Sequence, residues 1–206
     1  MTVHRYDPTT ALIVVDVQND FADPAGGLSV TGGDRMIPVV NAQIELARAA
    51  GAPVIYTQDW HPPSTPHFQK DGGAWPVHCV RDTWGAELHP DLRVEGPAIR
   101  KGANGEDGYS GFTMREPVSG SIVPTELEAL LRDRAIERVV VCGLATDYCV
   151  KATALDSARL GFATSVLTDA IAAVDLEPGD GDRALKELRA AGVSVEVAQP
   201  AEAPDR

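Results

Sequence analysis

A mostly parallel sheet of six strands, covered by helices on both faces in an α/β fold, is what this sequence of 206 residues predicts. Three observations carry the prediction. Short apolar runs alternate along the chain with segments of helical periodicity, the pattern of successive β-α-β units. The first run, Thr10-Ala-Leu-Ile-Val-Val-Asp16, is apolar without interruption, as expected of a strand buried on both faces. The composition is 44% hydrophobic, enough for a sizeable core at a length usual for one domain spanning residues 1–206.

The elements follow in order. The run from Thr10 to Asp16 is the first strand. From Asp34 to Ala50 the apolar residues Met36, Ile37, Val40, Ile44 and Ala47 recur at helical spacing, and Gly51 stops the helix. Pro53 to Asp59 is a second strand, and Ala98-Ile99 leads as a third to Lys101. A helix from Thr125 to Ala135 opens on Thr125 and Glu128, which fit a capping box. Arg138 to Gly143 is a strand, Asp147 to Leu160 a helix closed by Gly161, Ala163 to Thr168 a strand, Asp182 to Ala191 a helix closed by Gly192, and Val193 to Ala198 a strand. Two stretches interrupt the alternation. Residues 60–96, rich in Pro, Gly, His and Trp, form a connection far longer than the usual one of about 4–6 residues, which marks a functional loop. Residues 104–121 are Gly-rich and polar and read as a second loop over the same sheet end, and Pro200 to Arg206 as a frayed tail.

Charge and cysteine content narrow the function. With 18 Lys+Arg against 30 Asp+Glu the net charge is −12, which disfavours nucleic acid and anionic membrane as partners. No apolar stretch approaches the roughly 18 residues that span a bilayer, and Met1 to Asp7 lacks the apolar core of a signal peptide. Cys79, Cys142 and Cys149 leave one thiol over in any disulfide scheme, which points to a reducing, cytoplasmic setting where a special cysteine is catalytic or metal-binding.

Open α/β sheets bind ligands beyond the carboxyl ends of their strands, where Asp16, Asp59, Lys101 and Gly143 stand here. In Gly143-Leu-Ala-Thr-Asp-Tyr-Cys149-Val the chain passes from a buried strand into a helix. Cys149 falls in its first turn, where free N–H groups and the helix dipole favour a thiolate and offer an oxyanion site. Thr146 and Asp147 supply the cap, and Gly143 allows a close backbone approach. Cys142, inside a valine-rich strand, reads as a buried apolar residue. Asp59, His61, His67 and His78, from a strand end and the proline-rich loop after it, suit one divalent ion such as zinc, manganese or iron. His4 and His89 read as incidental.

Taken together, Asp16-Val-Gln-Asn-Asp-Phe21, Asp59-Trp-His61 with His67, Trp75-Pro-Val-His78-Cys79, Lys101-Gly, Tyr109-Ser-Gly-Phe112 and Gly143 to Val150 make the chain resemble the nicotinamidases within the isochorismatase-like cysteine hydrolases. The pieces occur in family order over most of the chain. The resemblance implies a three-layer α/β/α fold and a triad of Asp16, Lys101 and Cys149, with Asp16 accepting the thiol proton and Lys101 stabilising the charges. It implies a cis peptide bond before Ala145, turning the Ala145 N–H toward the oxyanion beside the N–H of Cys149. It also implies a metal held by Asp59, His61 and His78 with His67 close by or ligating, zinc foremost, and aromatic walls from Phe21, Trp75, Tyr109 and Phe112. The implied reaction is deamidation of nicotinamide to nicotinate and ammonia through a thioester, with pyrazinamide also accepted, a step of pyridine-nucleotide salvage.

Two other readings stand beside it. The acidic insertion at Asn104-Gly-Glu-Asp107 departs from the family pattern near the pocket, which keeps another small amide or an N-carbamoyl compound in view as substrate. From a different class, a non-catalytic metal and thiol sensor uses Cys149 as a redox switch. Oligomeric state, including a homo-oligomer, is open at this level.

Overall fold

The structure, a computed structural model, describes residues 5–198. Its central sheet contains β1 (Thr10–Val15), β2 (Val54–Asp59), β3 (Ala98–Lys101), β6 (Arg138–Leu144), β7 (Ala163–Ala172) and β8 (Ser194–Glu196). They lie in the order β3-β2-β1-β6-β7-β8, and every neighbouring pair is parallel. A separate antiparallel ribbon joins β4 (Thr113–Arg115) to β5 (Ile122–Pro124). The helices are α1 (Asn19–Ala22), α2 (Ile37–Ala49), α3 (Leu127–Asp133), α4 (Lys151–Arg159) and α5 (Asp180–Ala190).

The alternation of side chains along β1 divides the core into two layers. Leu12 and Val14 pack with α1 and α2 residues such as Phe21, Val40 and Ile44 on one face. Ala11, Ile13 and Val15 pack with Leu127 and Leu131 of α3, Ala154 of α4 and Leu188 of α5 on the other. Each fully buried Leu, Ile or Val contributes about 1.5–3 kcal/mol. A central strand feeding both layers therefore has no polar position to spare, which is why β1 reads as one apolar run.

Several expected boundaries shift for identifiable reasons. The stretch 104–121 is not loop throughout, because Thr113 to Arg115 pair with Ile122 to Pro124; strands of three residues are too short to show a period. β7 runs on to Ala172 because a register shift between Val141 and Gly143 lets Ile171 and Ala172 pair with Gly143 and Leu144. The capping box at α3 does not close as expected: the Thr125 hydroxyl accepts the Leu127 N–H at 3.2 Å, while Glu128 pairs with Arg132 one turn on. α2 begins at Ile37, with Pro38 in its first turn, where the fixed φ of proline is tolerated. The tail from Pro200 and His4 lie outside the described residues.

Candidate functional site

Strand order reverses between β1 and β6, and in an open α/β sheet the cleft opens at that point beyond the strand ends. β1 delivers Asp16 there, fully buried, with φ of 48° turning the chain away from the sheet. Register sets its neighbours: Val15 lies opposite Thr57, and Asp59 opposite Lys101. The Thr57 hydroxyl donates to Asp16 Oδ1 at 2.5 Å, and Lys101 Nζ donates to Asp16 Oδ2 at 2.8 Å. Lys101 Nζ also meets Asp59 Oδ1 at 2.9 Å in an ion pair, the Tyr109 carbonyl at 3.1 Å and Cys149 Sγ at 3.6 Å. One ammonium thus stands among both carboxylates and the thiol.

β6 delivers Cys149. Gly143 has a φ of 111°, and a Cβ there would fall 2.1 Å from the Val15 carbonyl oxygen, so only glycine lets β6 run this close to β1 at the site. The Leu144–Ala145 peptide bond is cis, as the resemblance implied. A single π-helical turn, Thr146 to Val150, then carries Cys149 into α4. Asp147 accepts the N–H groups of Val174 and Asp175 at 3.0 and 2.9 Å, fastening the segment after β7 to this turn.

The electrostatics correct one expectation. Burial pushes the Cys149 thiol well above its usual pKa, with Lys101 working against that and Asp16 adding to it, so the resting group is a thiol and not the helix-stabilised thiolate. Burial likewise raises Asp16, opposed by Lys101. Burial works against the Lys101 ammonium too, yet Asp16 and Asp59 outweigh it and hold its pKa well above the lysine value. For Asp59 the upward push of burial is overcome by Lys101 and His61, which keep it well below the carboxylate range.

Beside this group stand the histidines. His61 and the end of the long loop pair as a short parallel bridge, with the His61 N–H on Cys79 O at 2.9 Å and the Arg81 N–H on His61 O at 2.8 Å. That brings His78 beside His61. One ring nitrogen each of His61, His67 and His78 lie within 4.8 Å of one another, and Asp59 Oδ2 is 3.8 Å from His61 Nε2 and 4.0 Å from His78 Nε2. These are too long for hydrogen bonds. Both ring nitrogens of His61 are buried without a hydrogen-bond partner among the described residues, a costly arrangement for an imidazole unless something else occupies the space. His78 donates its Nδ1–H to Pro76 O at 2.7 Å, and burial pushes its pKa down to about 4, leaving a neutral ring with a lone pair on Nε2. Asp59, His61, His67 and His78 therefore fit a divalent cation of borderline softness. Asp16, Asp59 and Cys149 also converge within 4.8 Å, but the Lys101 ammonium fills that group.

Between the thiol and the histidines lies a narrow cleft that opens to solvent at its mouth. Phe21, Trp75 and Tyr109 line it as expected. Phe112 does not: it is fully buried in the α3 and α4 layer with Phe162 stacked at 6.2 Å, so it is a core residue. In its place stands Tyr148, whose ring meets Trp75 at 4.9 Å and Tyr109 at 5.2 Å, while Trp75 Nε1 donates to the Tyr109 hydroxyl at 3.0 Å. Cys149 and Ala145 line the cleft, whereas Asp16 and Lys101 lie beneath its floor.

Other residues missed in the sequence hold these groups. Gln18 clamps the end of β2, donating to Asp59 O at 2.7 Å and accepting the Asp59 N–H at 2.8 Å. Asp20 accepts the N–H groups of Cys79 at 2.6 Å and Gly27 at 2.8 Å, tying the long loop to the wall that carries Leu28. Both lie inside the Asp16 to Phe21 run, between the two ends that carry the chemistry. His89 accepts the Asp91 N–H and sits outside the histidine cluster, consistent with an incidental role.

Comparison with known proteins agrees with this geometry. Residues 10–199 match the isochorismatase domain. The chain is 38% identical to a nicotinamidase of Escherichia coli over 91% of this chain and 94% of that one. Among solved structures it superposes on a pyrazinamidase of Pyrococcus horikoshii in complex with zinc with a TM-score of 0.81 and 41% identity, covering 92% of this chain and 99% of that chain. It superposes on a protein of L. infantum in complex with nicotinate with a TM-score of 0.83 and 37% identity, covering 92% and 93%. By sequence, by sheet order and by the whole length of the match, the chain belongs to the isochorismatase family.

Proposed function

We propose that the chain is a metal-dependent cysteine amidohydrolase that deamidates nicotinamide to nicotinate and ammonia through a thioester on Cys149. The observation that carries the reading is that Cys149 is the cleft-facing member of a buried Asp16, Lys101 and Cys149 group, with aromatic rings and histidines around the same cleft.

In this reading the flat ring slides between Phe21, Trp75 and Tyr148 and presents its carboxamide to Cys149. A resting thiol avoids a third negative charge beside Asp16 and Asp59, so proton transfer accompanies attack. Asp16 takes the thiol proton as Sγ bonds to the carboxamide carbon, and Lys101 holds the shifting charge. The N–H groups of Ala145 and Cys149 receive the oxyanion. Collapse expels the amide nitrogen, which takes the proton from Asp16 and leaves as ammonia. Water then attacks the thioester, one of its protons passing to Asp16 and on to the departing thiolate, and the acid leaves as nicotinate, its remaining proton going to solvent. Asp59, His61 and His78, with His67, would hold one divalent ion, zinc foremost. When bound, the ion supplies a Lewis-acid site that fixes the pyridine nitrogen and so the angle of the ring.

A neutral ring is favoured over a charged amide, since the described residues lining the cleft carry no Arg or Lys to pair with a substrate carboxylate. Pyrazinamide, isosteric and neutral, fits equally. The three cysteines are free, and we assign the protein to the reducing cytoplasm and to pyridine-nucleotide salvage. The test is ammonia release by zinc-loaded protein from nicotinamide, pyrazinamide and an N-carbamoyl amino acid, with Cys149→Ala beside it. Turnover of the two ring amides, lost by on the order of 10⁴-fold or more in the variant at unchanged metal content, is expected. Cys149-dependent turnover of the N-carbamoyl compound alone moves the substrate class, and metal-loaded protein without turnover overturns the enzyme reading in favour of a sensor.

A further inference from the structure

The three histidines of the cluster are held differently. His61 follows β2 and His78 is held through the bridge between His61 and Val80, while the His67 backbone adjoins a second bridge, Phe68 to Trp75, within the long loop itself. What fixes its ring is a contact from elsewhere in the chain: His67 Nδ1 lies 2.8 Å from Asp107 Oδ1. A carboxylate accepting Nδ1–H leaves the lone pair on Nε2 of a ring whose centroid lies 4.7 Å from that of His61, on which it stacks, and 5.2 Å from that of His78.

Asp107 is itself held in place. Its N–H donates to Arg115 O at 2.9 Å and its carbonyl accepts the Arg115 N–H at 2.5 Å, which anchors it to β4, and the Gly108 N–H donates to its carboxylate at 2.8 Å. The side chain is about half exposed, so packing does not account for its orientation. Two residues on, Tyr109 lines the cleft, takes Lys101 on its carbonyl and takes Trp75 on its hydroxyl. At the other end of the loop, a Cβ on Gly102 would lie 2.7 Å from His61 Nδ1. Residues 102–109 thus form a strap that passes close to His61 at one end, where only glycine fits, meets His67 near the other, and ends in a wall of the substrate cleft.

We infer that Asp107 is a positioning residue that makes His67 a metal ligand and thereby couples metal loading to closure of the 102–109 strap over the cleft. The inference rests on the metal-dependent reading above. Nitrogens and a carboxylate aimed at one point repel until a cation joins them, so loading draws His67 inward and Asp107 draws the strap with it. Coupling is reciprocal: if the ion tightens the strap, the strap tightens the ion. The residues that read in the sequence as an acidic departure near the pocket are then part of the device that completes the metal centre.

The test uses the full chain, stripped and reloaded with zinc, in six forms: wild type, Asp107→Ala, Asp107→Asn, Glu106→Ala, His67→Ala and the double variant Asp107→Ala with His67→Ala. Zinc affinity is measured by competition with a chromophoric chelator, and strap closure by amide hydrogen exchange over residues 103–109 with and without zinc. Losing an outer partner of a ligating histidine weakens metal binding by about 10–100-fold. Asp107→Ala is expected to lose affinity by that factor and to lose zinc-dependent protection of the strap. Asp107→Asn, which keeps an acceptor oxygen, is expected to fall between. Glu106→Ala, which breaks only the bonds to Asn104 within the loop, is expected to bind zinc as wild type does. In a double-mutant cycle, Asp107→Ala is expected to cost nothing further once His67 is Ala, which a mere loop staple would not produce. Wild-type affinity in Asp107→Ala, or equal losses in Asp107→Ala and Glu106→Ala, overturns the inference while the metal reading stands. Wild type that binds no zinc stoichiometrically overturns both.

Discussion

Replacing Lys101 with methionine, close to it in length but uncharged, tests whether the buried charges form one unit. Lys101 Nζ lies 2.8 Å from Asp16 and 2.9 Å from Asp59, each attraction being about 6 kcal/mol at an effective permittivity of about 20. The desolvation of the ammonium, which the variant no longer carries, offsets much of that gross gain. What stays uncompensated is repulsion between two carboxylates whose oxygens lie within 4.8 Å, at least about 3.5 kcal/mol on the same scale. Breaking buried pairs costs about 3–5 kcal/mol, so a loss of about 4 kcal/mol is expected, equal to a fall in Tm of about 8–16 °C for a chain of this size. The loss should depend on pH. Burial already raises Asp16, and without Lys101 its folded-state pKa rises further above the unfolded value. A carboxyl so shifted favours folding below the unfolded pKa and loses that contribution as pH rises through the folded one. The deficit is therefore smallest near about pH 4 and complete at neutrality. Urea unfolding of wild type and Lys101→Met across that range measures it, and a deficit under about 1 kcal/mol at neutral pH, or one independent of pH, would refute the reasoning.

Three further substitutions separate core, wall and backbone. Phe112→Ala should cost about 3–5 kcal/mol in denaturant unfolding yet leave KM for nicotinamide unchanged where the protein is folded, because the ring packs on Phe162 away from the cleft. Tyr148→Ala should act on both: losing one aromatic wall of the cleft should raise KM for nicotinamide about tenfold, and losing its contacts with Trp75 and Tyr109, each worth about 0.5–1.5 kcal/mol, should lower the unfolding free energy by about 1–3 kcal/mol. Gly143→Ala sets a Cβ against Val15 O at a φ of 111° and should destabilise by about 3 kcal/mol or more, seen as a lowered urea midpoint.

The legible part of this protein was written in short range. β1 could be read because a strand feeding two core layers leaves no polar position, and Asp16, Asp59 and Lys101 could be read because they stand at strand ends in company with the cysteine turn and the histidine loop, in the order of the family motifs. Cys149 stood out by its place between a strand and a helix. These are local properties of the chain, and local sequence determines them.

Tertiary structure decided what depends on several elements at once. Tyr109-Ser-Gly-Phe112 sends one aromatic into the cleft and the other into the core, a division set by the packing of β4, α3 and α4 around it. The position of Cys149 near a helix start argued for a thiolate, but full burial beside Asp16 and Asp59 governs its protonation, since the cost of charge belongs to the surroundings. The work of Gln18, Asp20 and Asp107 lies in hydrogen bonds to residues about 40 to 60 positions away, which neither composition nor period encodes. The sequence alone determined the strands and the reactive side chains at their ends; which of those side chains meet, and in what charge state, was left to the packing, because contact and desolvation exist only once distant segments share one interior.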